Sequence, residues 1–218
     1  MWTLPNVITL VRIALTPVIA LLPFIQGYWP KFIAFVVFLI AAVSDVWDGW
    51  LARRRHEVTD LGKLLDPVAD KLLLVATLIP IYFISQTRHD LYDIPLWGSV
   101  PLWVCALLIG REFAMTAFRQ WARHRGVVIP AEGVGKFKAV FQNIYIGATM
   151  IWFAYRDAAR PLGWVNSPFW RFWNSFHGWF VAVTLGIALV LTITSFVTYL
   201  VRHRALFITS EHAVKGRR

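Results

Sequence analysis

Six apolar stretches divide the chain, at roughly residues 7–25, 32–52, 66–85, 95–118, 138–155 and 178–201. Each is near the ~20 residues that an α-helix needs to cross about 30 Å of hydrocarbon. The pattern predicts an all-α, polytopic membrane protein with six transmembrane helices and a single domain over residues 1–218. The first stretch has no basic residue ahead of its apolar core, only Arg12 inside it, and no A-x-A-like cleavage site follows. It is therefore expected to stay as a first helix rather than leave as a signal peptide. Its polar start, Pro5-Asn6-Val7-Ile8-Thr9, is expected to form an N-terminal interfacial segment. Tyr28, Trp29, Tyr92, Trp97, Trp164, Trp170, Trp173 and Trp179 gather near the ends of the stretches. Rings with one wet and one apolar side favour that position. The Trp-rich connection at 156–177 reads as the longest outer loop, lying in the interface. Cys105 is the only cysteine, so no intrachain disulfide can form.

The formal net charge is +10, and the bases fall between the apolar stretches. With the N-terminus inside, Lys31, Arg88, Arg156, Arg160 and Arg171 fall outside. The inner connections then hold Arg53, Arg54, Arg55 and Lys63, followed by Arg119, Arg123, Arg125, Lys136 and Lys138. The tail adds Arg202, Arg204, Lys215, Arg217 and Arg218. The positive-inside rule therefore places both termini in the cytoplasm. No long basic run is interleaved with aromatics, which argues against nucleic acid. Anionic membrane lipids and phosphate-bearing substrates are the expected partners.

Against this apolar background, residues 45–70 carry D-x2-D-G-x2-A-R-x8-G-x3-D-x3-D: Asp45, Asp48, Gly49, Ala52, Arg53, Gly62, Asp66 and Asp70. Ionisable residues in membrane segments are by default a functional hypothesis. Asp45 and Asp48 are three apart and Asp66 and Asp70 four apart, so each pair shares a helix face if both stretches are helical. Two such pairs facing each other make an oxygen cage suited to two hard divalent cations. Asp45 and Asp48 are expected to close the second helix. Asp66 and Asp70 are expected in the first turn of the third, beginning near Pro67, where the helix dipole favours negative charge. Gly49 allows a close approach to the backbone, Ala52 keeps the same face shallow, and Gly62 is expected to relax the loop before the second pair. Arg53 offers a planar cation to a phosphate. Two other readings stay open on the residues alone. The acids could cap helices and solvate a loop. They could also bind a transported cation, although transporters usually hold such groups near the bilayer midplane on broken helices.

The motif resembles that of the CDP-alcohol phosphotransferases, membrane enzymes of phospholipid synthesis, and matches all eight fixed positions. The resemblance extends over essentially the whole chain. It implies two metal ions, Mg²⁺ or Mn²⁺, held by Asp45, Asp48, Asp66 and Asp70. Asp70 would also be the general base for an acceptor hydroxyl. Gly49, Ala52 and Arg53, with Thr59, would meet the CDP-lipid. The reaction would be attack of an alcohol on the β-phosphorus of CDP-diacylglycerol, with release of CMP. A homodimer in a bacterial inner membrane, its active site on the cytoplasmic face, is implied as well.

Three further segments resemble the family members that use glycerol 3-phosphate as acceptor. They are Pro5-Asn6-Val7-Ile8-Thr9-Leu10-Val11-Arg12, Arg111-Glu112-Phe113, and Gly135-Lys136-Phe137-Lys138 with Gln142. An acceptor bearing a phosphate needs fixed cations, and Arg111, Lys136 and Lys138 are the candidates. Arg111 lies inside an apolar stretch, where adjacent helical residues such as Arg111 and Glu112 do not face each other. Lys136 and Lys138 serve equally well as anchors at a membrane face. Asn6, Thr9 and Arg12 either line the nucleotide side of the cavity or simply start a helix. Inositol phosphate, serine and phosphatidylglycerol remain as rival acceptors.

Overall fold

The computed structural model describes residues 3–55, 59–87, 94–127 and 133–203. Side chains are described at all of these except 46, 48–55, 60, 61, 63 and 133–136. The regular structure is helical: α1 (Leu4–Leu21), α2 (Tyr28–Arg55), α3 (Asp60–Thr87), α4 (Leu102–His124), α5 (Gly133–Ala159) and α6 (Pro168–Arg202). Single 3-10 turns occupy Leu22–Phe24 and Trp164–Asn166. No strand occurs among the described residues, only an isolated bridge between Ile94 and Gly98.

Each apolar stretch became one helix, and all but α4 begin earlier than hydropathy suggests, α3 and α6 by the most. The hydroxyl of Thr59 accepts from the Gly62 N–H at 3.0 Å, a side-chain cap at the start of α3. That start corrects two expectations. Gly62 lies within the helix rather than in a loop. Asp66 and Asp70 are its seventh and eleventh residues rather than its first turn, and the dipole has largely faded by then. Similarly, the Ser167 hydroxyl accepts from the Trp170 N–H at 3.1 Å, with Pro168 opening α6. The expected 156–177 loop shrinks to residues 160–167, because α5 runs on to Ala159. Trp170 is buried and stacks on Trp152, which also stacks on the ring of His177.

Around the bundle the neighbours run α1, α2, α5, α6, α4, α3 and back to α1, while α3 and α5 also touch. Phe38, Leu74, Leu78, Leu108, Tyr145, Ile146, Phe153 and Leu185 fill the middle. Helix α1 is turned inside out compared with a helix in water. Asn6, Thr9, Arg12 and Thr16 are buried, while Leu4, Val7, Val11, Val18 and Leu21 are exposed. Such a helix is stable only where the surrounding medium is apolar and the polar groups pair inside. The polar start of the chain is thus the inner face of α1.

Among the described residues, four helical spans are long and apolar enough to cross a membrane: Leu4–Phe24, Tyr28–Asp45, Leu64–Thr87 and Pro168–Arg202. Helices α4 and α5, with 23 and 27 residues, reach about 35 and 40 Å at 1.5 Å per residue. Polar residues, not length, set them apart. Several of these, Lys138 and Gln142 among them, are buried in the bundle.

Candidate active site

Helix α1 delivers the first functional group. Its Arg12 side chain is 1% exposed, and Nη1 donates to Oδ1 of Asp45 on α2 and, at 3.2 Å, to Oδ1 of Asp70 on α3. One guanidinium therefore draws together carboxylates from two helices. Those acids are not buried: their side chains are 42% and 56% exposed. One turn before Asp70, Asp66 accepts from the Thr9 hydroxyl at 3.0 Å. Asn6 Nδ2 donates to the Thr59 hydroxyl at 2.9 Å. A Cβ on Gly62 would stand 2.7 Å from Asn6 Oδ1. Only glycine lets α1 lie this close to the start of α3. Asn6, Thr9 and Thr59 thus tie α1 to the backbone and carboxylates of α3.

Beside the carboxylates lies a cavity of about 140 Å³, to which every helix but α6 contributes. Its polar lining is Arg12, Asp45, Asp70, Lys71 and Thr77 of α1, α2 and α3, Glu112 of α4, and Lys138, Gln142 and Asn143 of α5. Lys138 is 3% exposed and donates to Glu112 Oε1. Arg111 Nη1 donates to the same oxygen at 2.7 Å, and Nη2 to the Ser195 hydroxyl at 3.0 Å. The expectation that Arg111 and Glu112 could pair only awkwardly is overturned. Long side chains bend across the helix surface, and Lys138 fixes the carboxylate between them. Arg111 does not line the cavity. It borders an apolar groove between α4 and α6, beside Gly110, Ala114 and Phe196.

The structure thus brings Asp45, Asp70 and Lys138 into one cavity, with Asp66 one turn before Asp70 on α3. It keeps Asn6, Thr9, Thr59 and Arg111 in supporting positions. Asp48, Gly49, Ala52 and Arg53 lie on the helical backbone of α2, and Lys136 on that of α5, but their side chains fall outside those described. Sequence reasoning missed Glu112 as the link between two cations, and Gln142 and Asn143 as cavity residues. The signal was present. Gln142 is a polar residue one turn from Lys138 within an apolar stretch, the same criterion that singled out the aspartates.

The donor set suits a hard divalent cation in kind, being carboxylate oxygens of α2 and α3 that Arg12 of α1 draws together. That Asp45 and Asp70 already share one positive group shows that they can converge on a cation. Among the described residues no three such side chains close on a single point, and the Asp48 side chain lies outside them.

Residues 2–170 match the family described as CDP-alcohol phosphatidyltransferase. The chain belongs to that family. A CDP-diacylglycerol–glycerol-3-phosphate 3-phosphatidyltransferase of Escherichia coli (strain K12) is 30% identical over 207 residues, 94% of this chain and 96% of the relative. A protein of Arabidopsis thaliana, named as the second enzyme of that activity, is 34% identical over 161 residues, 72% of this chain and 66% of its own length. A cardiolipin synthase (CMP-forming) of Oryza sativa subsp. japonica is 35% identical over 163 residues, 73% of this chain and 48% of its own. Membership makes the chain a phosphatidyltransferase. The range of these names leaves the acceptor alcohol to be argued from the cavity.

Proposed function

We propose that this phosphatidyltransferase moves the phosphatidyl group of CDP-diacylglycerol to glycerol 3-phosphate. The observation that carries the reading is the shared cavity, which Asp70 and Lys138 both line. A phosphate on Lys138 would leave the far end of a short polyol near Asp70. A volume of about 140 Å³, roughly ten times the ~10–15 Å³ that one water needs on the same measure, suits a small acceptor.

Asp70 takes the proton from the primary hydroxyl of the acceptor as its oxygen bonds to the β-phosphorus. The bond from that phosphorus to the CMP oxygen breaks, and CMP leaves with the electron pair. Two divalent cations, Mg²⁺ or Mn²⁺, held when bound by Asp45, Asp48, Asp66 and Asp70, supply charge neutralisation to the diphosphate. Arg53, with Gly49 and Ala52 on its helix, meets the CDP portion. Arg12 restrains Asp45 and Asp70 so that two acids from separate helices stay together. Lys138 holds the acceptor phosphate, with Lys136 nearby on the same helix. Arg111 acts through Glu112, which orients Lys138. Asn6, Thr9 and Thr59 keep α1 against the carboxylate helix.

All six helices cross the bilayer in this reading, with both termini and the cavity mouth on the cytoplasmic side and the chain paired with a second copy. The charge distribution supports the orientation, and the inward-turned polar residues of α5 support a spanning role despite its lower apolarity.

The test is CMP release by purified protein in detergent, given CDP-diacylglycerol, Mg²⁺ or Mn²⁺ and one acceptor at a time. Release with glycerol 3-phosphate alone is the expected result. Release only with phosphatidylglycerol would favour the cardiolipin-forming alternative that the rice relative raises. Release with serine or inositol phosphate would overturn the acceptor and keep the chemistry. Ion flux without CMP release would overturn the enzyme reading itself.

A further inference from the structure

Gln142 is 6% exposed and lines the cavity, and its side-chain oxygen has no hydrogen-bond partner among the described residues. A buried acceptor left unsatisfied is unfavourable, so native structures seldom retain one without a reason. We propose that Gln142 determines acceptor specificity by accepting a hydrogen bond from the non-reacting, secondary hydroxyl of the polyol phosphate. The inference rests on the glycerol 3-phosphate reading and adds to it the atom that recognises the polyol.

Three observations support the assignment. Glycerol 3-phosphate carries three polar features: the phosphate goes to Lys138, and the primary hydroxyl gives its proton to Asp70. The secondary hydroxyl remains, and it is a donor in need of an acceptor. Gln142 is four residues beyond Lys138, so the two project from one face of α5. Neighbours at that spacing have Cβ atoms about 5–6 Å apart, the scale that separates the phosphate from the secondary hydroxyl in so small a molecule. Finally, an amide oxygen accepts without adding charge. Asp45, Asp70 and Glu112 already line the cavity, and a fourth carboxylate would repel the phosphate.

The reading separates glycerol 3-phosphate from 3-hydroxypropyl phosphate, which keeps the phosphate and the primary hydroxyl and lacks only the secondary one. CMP release should favour glycerol 3-phosphate in the wild type by about 10–100-fold in kcat/KM. Gln142→Met, which is near in volume and has no strong acceptor, should bring the two acceptors to the same efficiency, mainly by losing glycerol 3-phosphate. A wild type that uses both equally overturns the assignment. So does a Gln142→Met enzyme that keeps the preference, or one that melts like the wild type and loses both acceptors in proportion. The wild-type comparison needs no variant, so poor folding of Gln142→Met does not shield the idea. Gln142→Asn, which withdraws the amide by one methylene, then gives the second test and should also lose the preference. A wild type inactive with both phosphates but active with another alcohol would overturn the acceptor reading and this inference together. Equal use of both phosphates would overturn this inference alone.

Discussion

The pair of helices α2 and α5 ends in ion pairs on both sides of the bundle, and the two sides are built differently. Where α2 begins and α5 ends, Lys31 donates to Asp157 and, at 2.9 Å, to the Ile25 carbonyl. Asp157 also accepts the Gly27 N–H at 2.9 Å. Both charged side chains are hidden, at 3% and 8% exposure. At the other end the cations Arg12 and Lys138 are equally hidden, but their carboxylates are not. Asp45, Asp70 and Glu112 keep between 30% and 56% of their side-chain surface open. A fully enclosed pair fastens two helices. A buried base with an open acid holds the acid in place while leaving it reachable. Both ends place charge within an apolar bundle, and the proposed site lies at the end whose acids stay open.

The comparison breaks most sharply on Asp70 and Asp157. Asp70→Asn should lower kcat by at least 10²–10⁴-fold, the usual worth of a general base, while the melting temperature changes little. A variant with near-normal turnover would remove Asp70 from the proton transfer. Asp157→Asn should do the reverse. Leaving Lys31 buried without its carboxylate destabilises by about 3–5 kcal/mol, read as a lower melting temperature in detergent. Activity per folded molecule should be retained. Lys138→Met sharpens the comparison within the site. It should raise the KM for glycerol 3-phosphate by roughly 10–100-fold, as expected for a lost hydrogen bond to a charged group. The KM for CDP-diacylglycerol should move far less, and an equal rise in both would place Lys138 outside the acceptor pocket. The smallest effect is expected from Thr59→Ala. Losing the α3 cap should destabilise by about 1 kcal/mol, with a modest rise in proteolysis near residue 59 as the measure.

Hydropathy made the six helices legible, because long apolar stretches leave few alternatives. The aspartates were equally plain, since a charge in such surroundings stands out. Helix starts were less visible. Thr59 and Ser167 act through one hydroxyl each, a signal that vanishes when hydrophobicity is averaged over a window. The cavity was harder still. That Lys138 meets Glu112, or that Arg12 reaches both Asp45 and Asp70, depends on which helices are neighbours and how each is rotated. The Asn6 contact at Gly62 was invisible for the same reason. A glycine between acidic residues reads as a flexible joint until another helix is found pressed against it.

The inward polar face of α1 also bears on how the chain is made. Arg12 finds one of its carboxylates on Asp70, 58 residues later in the sequence. At about 5–20 residues per second, roughly 3–12 s pass between synthesis of the two. Until α2 brings Asp45 and α3 brings Asp70, the first helix carries an arginine whose placement at the centre of a lone membrane helix costs about 2.5–3.5 kcal/mol. The early helix therefore gains less by partitioning alone into lipid than it does once those carboxylates have met its arginine. Biosynthesis is expected to hold it beside the insertion machinery, releasing α1, α2 and α3 together as the first unit to leave the ribosome's exit path.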